Sequence, residues 1–120
     1  MLTGLSAITL ATHDMARSVA FYEALGFLLT FGGPNARFTS LRGGASYVNL
    51  TAVPAGITLS WWGRVIFHVD DVDQLHRQAV AAGFVPAFAP RDGSWGERYF
   101  HIADPDGHEL SFAKPLRPVP

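Results

Sequence analysis

Ala7 to Ala11 opens with alternation. Ile8 and Leu10 point one way while Ala7, Thr9 and Ala11 point the other, which predicts a half-buried strand. Thr12-His13-Asp14 follows, and Thr and Asp oxygens accept the free amides of a first helical turn. Met15, Val19, Tyr22 and Leu25 recur at helical spacing, so a helix is predicted to about Leu25, closed by Gly26. Phe27 to Phe31, Arg37 to Leu41 and Tyr47 to Val53 read as three further strands. Gly32-Gly33-Pro34-Asn35 and Gly43-Gly44 supply the turns between them. Pro54-Ala55-Gly56 breaks the pattern, and Ile57 to Trp62 is an apolar connector.

The pattern then begins again. Val65, Phe67 and Val69 form one strand face, and Arg64, Ile66 and His68 the other. Asp71 with Gln74 resembles a capping box. Val72, Leu75, Ala79 and Ala82 make a helical stripe that Gly83 closes. Val85 to Ala89 and Glu97 to Ala103 are predicted strands. Asp104-Pro105-Asp106-Gly107 suits a type I turn, because Pro presets φ at the second position and Gly re-enters the ladder at the fourth. Glu109 to Ala113 is the final strand, and Lys114 to Pro120, with three prolines, reads as a loose tail. Sliding one half over the other by 57 positions puts Asp14 on Asp71, Met15 on Val72, Gly26 on Gly83 and Phe27 on Phe84. Two half-repeats of strand, helix and three strands are expected.

Composition narrows the classes. The 120 residues are 48% hydrophobic and 16% charged, enough for one domain with a real core. A formal charge of -1 gives no reason to expect nucleic acid or an anionic membrane as partner. Without cysteine, thiolate catalysis, disulfides and cysteine-ligated zinc are excluded. Met1 to Thr12 has no basic region or long apolar run, and no stretch approaches the ~20 apolar residues of a membrane span. A cytoplasmic protein is expected.

Three motifs carry a resemblance. D-M-x-x-S-x-x-F-Y-x-x-L-G-F at Asp14 to Phe27 is similar to the first half of the vicinal oxygen chelate superfamily, which includes glyoxalase I, bleomycin-resistance proteins and extradiol dioxygenases. V-D-D-V-D-x-L-x-x-x-x-x-x-A-G-F at Val69 to Phe84 resembles its second half, and D-P-D-G at Asp104 to Gly107 is a third match. The likeness covers about Ala7 to Ala113. It implies an α+β fold of two βαβββ modules, about 5–54 and 63–114, in one domain. The modules would form a curved mixed-sheet cup with helices on the outside, and members of this length are expected as homodimers.

The resemblance also implies where a metal would sit. Metal-dependent members use His, Glu or Gln on the first and last strands of each module, and those positions fall here on Ala7, Asn49, Arg64 and Ser111. Alanine has no donor, arginine is a permanent cation, and Asn and Ser are weak neutral ligands. No metal or other cofactor is therefore expected.

Alternation assigns the two faces of the strands independently. Ile8, Leu10, Val48, Leu50, Val65, Phe67, Leu110 and Phe112 would face the helices. Thr9, Tyr47, Asn49, Thr51, Arg64, Ile66, His68, Glu109 and Ser111 would line the other face, as either a pocket wall or a solvated sheet surface. Arg64 is read either as a clamp for a ligand anion or as the ion-pair partner of Glu109. His68 and Glu109 are read either as an acid–base pair, the carboxylate fixing the imidazole tautomer, or with His68 as a buried histidine. Trp61, Trp62 and Trp95 either stack on a planar ligand or pack at a junction. The first expectation is a binding protein for a small aromatic or anionic molecule, of bleomycin-resistance type. Trp61, Trp62, Tyr47, Asn49, Arg64 and Ser111 would hold the ligand. The alternative is a metal-free lyase or isomerase with His68 as base, Glu109 as orienter and Arg64 on the substrate anion. A metal-dependent glyoxalase or dioxygenase would need an unconventional ligand set.

Overall fold

The computed structural model describes residues 1–117. The first unit, Met1–Ser60, contains β1 (Ala7–Thr12), α1 (Met15–Ala24), β2 (Leu28–Phe31), β3 (Phe38–Gly43) and β4 (Ser46–Ala52). The second begins at Trp61 and contains β5 (Arg64–His68), α2 (Val72–Ala81), β6 (Arg91–Asp92), β7 (Glu97–Ala103) and β8 (Glu109–Pro115). The fold is α+β, and each unit is a βαβββ module. The sheet orders are β1-β4-β3-β2 and β5-β8-β7-β6. In each, the first strand runs parallel to the last, and the remaining pairs are antiparallel.

The 57-residue repeat extends to atomic detail. Asp14 (φ -146°, ψ 96°) caps α1 by accepting from the Arg17 amide, and Asp71 (φ -145°, ψ 96°) caps α2 by accepting from the Gln74 amide. Both bonds are 3.0 Å long and satisfy an amide with no intrahelical partner. Each helix ends in the same motif. The Phe27 amide donates to the Tyr22 carbonyl and the Gly26 amide to Glu23, while Phe84 donates to Ala79 and Gly83 to Val80. This double closure requires a left-handed residue between helix and strand, and Gly26 (φ +97°) and Gly83 (φ +91°) supply it. In the first module the closing Phe27 also packs edge-on against Tyr22, ring centroids 5.4 Å apart.

Each helix covers one face of its own sheet. Leu10, Val48 and Leu50 are buried in the first module, with Met15, Val19, Phe21 and Tyr22 of α1. Val65, Leu110, Phe112, Phe100 and Ile102 are buried in the second, with Val72, Leu75 and Ala79 of α2. Ile8 and Phe67 are half-buried on the same faces. Arg98 ties α2 to the sheet through a bidentate pair with Asp73, both contacts 2.8 Å, and a third bond to Asp92 at 3.0 Å. No helix among the described residues is long and apolar enough to cross a membrane.

Three expectations need correction. Val85 to Ala89 is not a strand: Pro86 and Pro90 remove ladder donors. Only the Ala87 amide reaches β7, donating to the His101 carbonyl at 2.8 Å, and the edge strand is Arg91–Asp92. The helical stripe ends at Ala79, because Ala82 is an exposed cap residue. Lys114 and Pro115 belong to β8, since Arg98 and Glu97 of β7 still pair with them; residues 118–120 of the expected tail lie outside the described residues.

The paired caps predict paired costs. Asp14→Ala and Asp71→Ala should each lower the urea unfolding free energy by about 1 kcal/mol. Equivalent losses would support the repeat at the level of energy, and a loss at only one site would contradict it.

Candidate functional site

The helix-free face of the second sheet concentrates chemistry. Its central strand β8 presents Glu109, Ser111 and Ala113, with Arg64, Ile66 and His68 of β5 alongside in register. On the other flank β7 presents Glu97, Tyr99 and His101, with His101 opposite Ser111 and Tyr99 opposite Ala113. The hairpin joining β7 to β8 is fixed by Asp104, which is buried and whose Oδ1 accepts from the Asp106 and His108 amides, each at 2.9 Å. That closure sets where Glu109 enters the sheet.

Three side chains converge on the Glu109 carboxylate. Trp61 gives its indole N–H to Oε2 at 2.5 Å. Arg64 reaches Oε1 through Nε at 3.2 Å and Nη2 at 3.1 Å. His101 Nδ1 lies 3.1 Å from the same Oε1. The Trp61 and Arg64 hydrogen bonds hold the Glu109 carboxyl below its ordinary value, against an opposing push from burial. Burial and the nearby Arg64 charge hold His101 below the ordinary histidine value, outweighing the attraction of Glu109. At neutral pH this describes a carboxylate beside an uncharged imidazole, and the carboxylate charge 3.1 Å from Nδ1 favours the tautomer that carries its proton there.

A second carboxylate organises the far end of the face. Glu97 Oε2 lies 2.8 Å from His68 Nε2, and Glu97 Oε1 accepts the Trp95 indole N–H at 3.0 Å. Trp95 lies 4.7 Å from the Tyr99 ring, and its six-membered ring covers Gly93, where an added Cβ would approach it to 2.7 Å. Arg91 stacks over Phe88 at 3.7 Å and donates to the Tyr99 hydroxyl at 3.2 Å. Phe88 and Tyr99 each lie 5.2 Å from the His101 ring. The strip from Trp95 to His101 is thus a continuous aromatic surface edged by arginine.

The equivalent face of the first sheet is uncharged at its centre. Ser40 donates to Asn49 Oδ1 at 2.6 Å, and Asn49 Nδ2 donates to Thr9 at 3.4 Å. Tyr47 is half-buried, in register with Ala7 and Arg42 on its two sides.

Arg64, Glu109, Trp61 and Ser111 therefore meet on one sheet face. Neither reading of His68 holds: it is exposed rather than buried, and it does not join Glu109. Register puts His68 opposite Ala113, four positions along β8 from Glu109, or about 13 Å at ~3.3 Å per residue. Its carboxylate is Glu97, and the histidine that Glu109 engages is His101. Trp62 gives its indole N–H to His108 Nδ1 at 2.8 Å rather than to the Glu109 cluster. Tyr47 and Asn49 belong to the first sheet. Sequence reasoning missed the part played by His101, Glu97 and Arg91. Alternation along Glu97 to Ala103 already places Glu97, Tyr99 and His101 on one face, and that was the available signal. At the four positions implied for metal, Ala7 offers no donor atom, Asn49 is bonded to Ser40 and Thr9, and Arg64 is committed to Glu109. No three His, Asp or Glu side chains gather as a metal-binding group among the described residues.

Paired βαβββ modules, each exposing a polar sheet face, define a class of protein, and comparison makes the class specific. The profile of the Glyoxalase/Bleomycin resistance protein/Dioxygenase superfamily matches residues 4–112. The chain belongs to that superfamily. It is 27% identical to a bleomycin resistance protein of Klebsiella pneumoniae over 113 residues, 88% of each chain. An uncharacterized protein of Mycobacterium bovis is 43% identical, but over 51 residues only, so the chain spans about a third (34%) of that relative. Among solved structures, a bleomycin resistance determinant encoded on transposon Tn5 superposes with TM-score 0.78 at 26% identity, covering 96% of this chain and 100% of that one. A bleomycin-binding protein complexed with bleomycin gives TM-score 0.74 at 27% identity, covering 94% and 98%.

Titration reads the Glu109 cluster directly. His101 should show an NMR pKa below the ordinary value of about 6.5. Glu109→Gln should lower it further, because the carboxylate favours the imidazolium, and Arg64→Gln should raise it. The sign for stability follows. A histidine with a depressed folded pKa costs stability as pH falls below its unfolded value, since the unfolded chain then binds the proton more readily. Shifts of opposite sign would contradict the described charges.

Proposed function

We propose that the helix-free face of the second sheet binds a small aromatic molecule without chemistry and without metal. One observation carries this reading. Trp61 and Trp95 are 65% and 61% exposed, yet each indole is fixed by a carboxylate. Exposed tryptophans normally gain nothing from being held still. Here the ordering cost is met before a ligand arrives, which favours stacking. The likeness to a protein complexed with bleomycin supports the same reading.

The metal chemistry of other superfamily members does not fit these residues. A divalent ion needs several anionic or imidazole donors to replace its water. Ala7, Asn49, Arg64 and Ser111 provide none, and the Arg64 guanidinium repels a cation. A second reading, a metal-free lyase or isomerase, is favoured by the His101–Glu109 contact, with His101 in the role of base first considered for His68.

Bleomycin is the first ligand to test. Calorimetry should detect binding to the native protein, and Trp61→Ala and Trp95→Ala should each weaken it by about ten-fold. Trp62→Ala, whose indole is engaged by His108, should change it less than three-fold. Equal effects at all three tryptophans, or none, would contradict the proposed face. Turnover of any bound compound that His101→Gln abolishes would favour the enzyme reading.

A further inference from the structure

The inference rests on the binding reading above and names the chemistry that the centre of the site would take. Ser111 is only 3% exposed and points to the helix-free face, since Leu110 and Phe112 alternate to the helix side. Its hydroxyl has no hydrogen-bond partner among the described residues. No side-chain polar atom sealed from solvent lacks a partner among them either, so this hydroxyl reaches the surface of the face. A buried hydroxyl left unpaired is unfavourable; one at the bottom of a binding face gains its bond when a ligand arrives.

The surroundings give it a shape. Ser111 and Ala113 are small side chains on β8, an inner strand of the sheet. Larger ones flank them, Ile66 and His68 on β5, Tyr99 and His101 on β7. His101 is the direct cross-strand neighbour of Ser111, with Cβ atoms about 5 Å apart in such pairs. The Glu109 charge beside Nδ1 favours the proton on that nitrogen, which leaves Nε2 as an acceptor. Arg64 spends Nε and Nη2 on Glu109 and keeps Nη1 without a partner among the described residues.

We infer that Ser111, His101 and the outer edge of Arg64 form a polar floor that selects an uncharged planar amide, a carboxamide or lactam, on an aromatic ligand. An amide N–H would donate to His101 Nε2, and its carbonyl would accept from the Ser111 hydroxyl or Arg64 Nη1. A carboxylate has no proton for His101 and meets the Glu109 carboxylate beside it. An ammonium group meets Arg64. The floor is electrically balanced, because the Arg64 charge is already opposed by Glu109. Arg91, on the β6 flank, and Glu97 with His68, at the far end, complete the charged and titratable groups around it.

A matched pair of ligands tests this. Indole-3-acetamide and indole-3-acetate share ring and linker and differ only in the head group. At pH 7.5, titration of uniformly 15N-labelled protein should show the amide binding at least ten-fold more tightly, with shifts at His101 and Ser111. Ser111→Ala, a small change whose spectrum reports folding directly, and His101→Phe should each bring the two ligands to within about three-fold. Equal or tighter binding of the carboxylate, or an unchanged preference in Ser111→Ala, overturns the inference. If bleomycin binds through Trp61 while neither probe shifts the floor, the inference falls and the binding reading stands. If neither the probes nor bleomycin bind, both fall.

Discussion

The Glu109 carboxylate is the constraint on which the site depends. One side chain receives an indole, a guanidinium and an imidazole from three separate stretches of the second module. The exposed Trp61 keeps its orientation through this contact. Arg64, a potential anion clamp, is neutralised by it. His101 lies with Nδ1 beside the carboxylate and Nε2 turned away from it. Each effect follows from one partly buried anion with several donors in reach. Without that anion, a guanidinium, a neutral imidazole and an indole would lie together with no shared partner to order them.

The scaffold holds Glu109 by backbone means. The Asp104 turn delivers the chain into β8, and the parallel pairing of β5 with β8 puts Arg64 directly opposite Glu109. The same architecture in the first module, with near-identical cap geometry at Asp14 and Asp71, carries no such charge cluster. Its equivalent face holds Ser40, Asn49 and Thr9 in a neutral chain of hydrogen bonds. One fold repeated in the chain thus presents two chemically different faces, and the fold does not dictate the function.

Much of the fold was legible because it rests on local rules. Alternation assigned Leu10, Val48, Leu50, Val65, Leu110 and Phe112 to the buried face, and all six are buried. The Gly-Phe pairs marked helix ends because only a left-handed residue permits that closure. Val85 to Ala89 misled because its apolar residues read as a strand while Pro86 within it and Pro90 after it deny the ladder. The site was harder to read. Alternation gives a face but not a position along it, so His68 and Glu109 shared a face while standing far apart in register. The partner choices of Trp61 and Trp62, adjacent in sequence but bonded to Glu109 and His108, depend on the three-dimensional course of an irregular connector. No period in the sequence encodes that.

The central claim is that Trp61 and Trp95, fixed by Glu109 and Glu97, make the ligand-binding surface. The three tryptophans supply three indole N–H signals in a 15N-labelled sample. Adding bleomycin should move or broaden the Trp61 and Trp95 signals and leave that of Trp62, bonded to His108, near its free position. A response confined to Trp62, or signals of Trp61 and Trp95 that stay fixed while calorimetry reports saturable binding, would contradict the account.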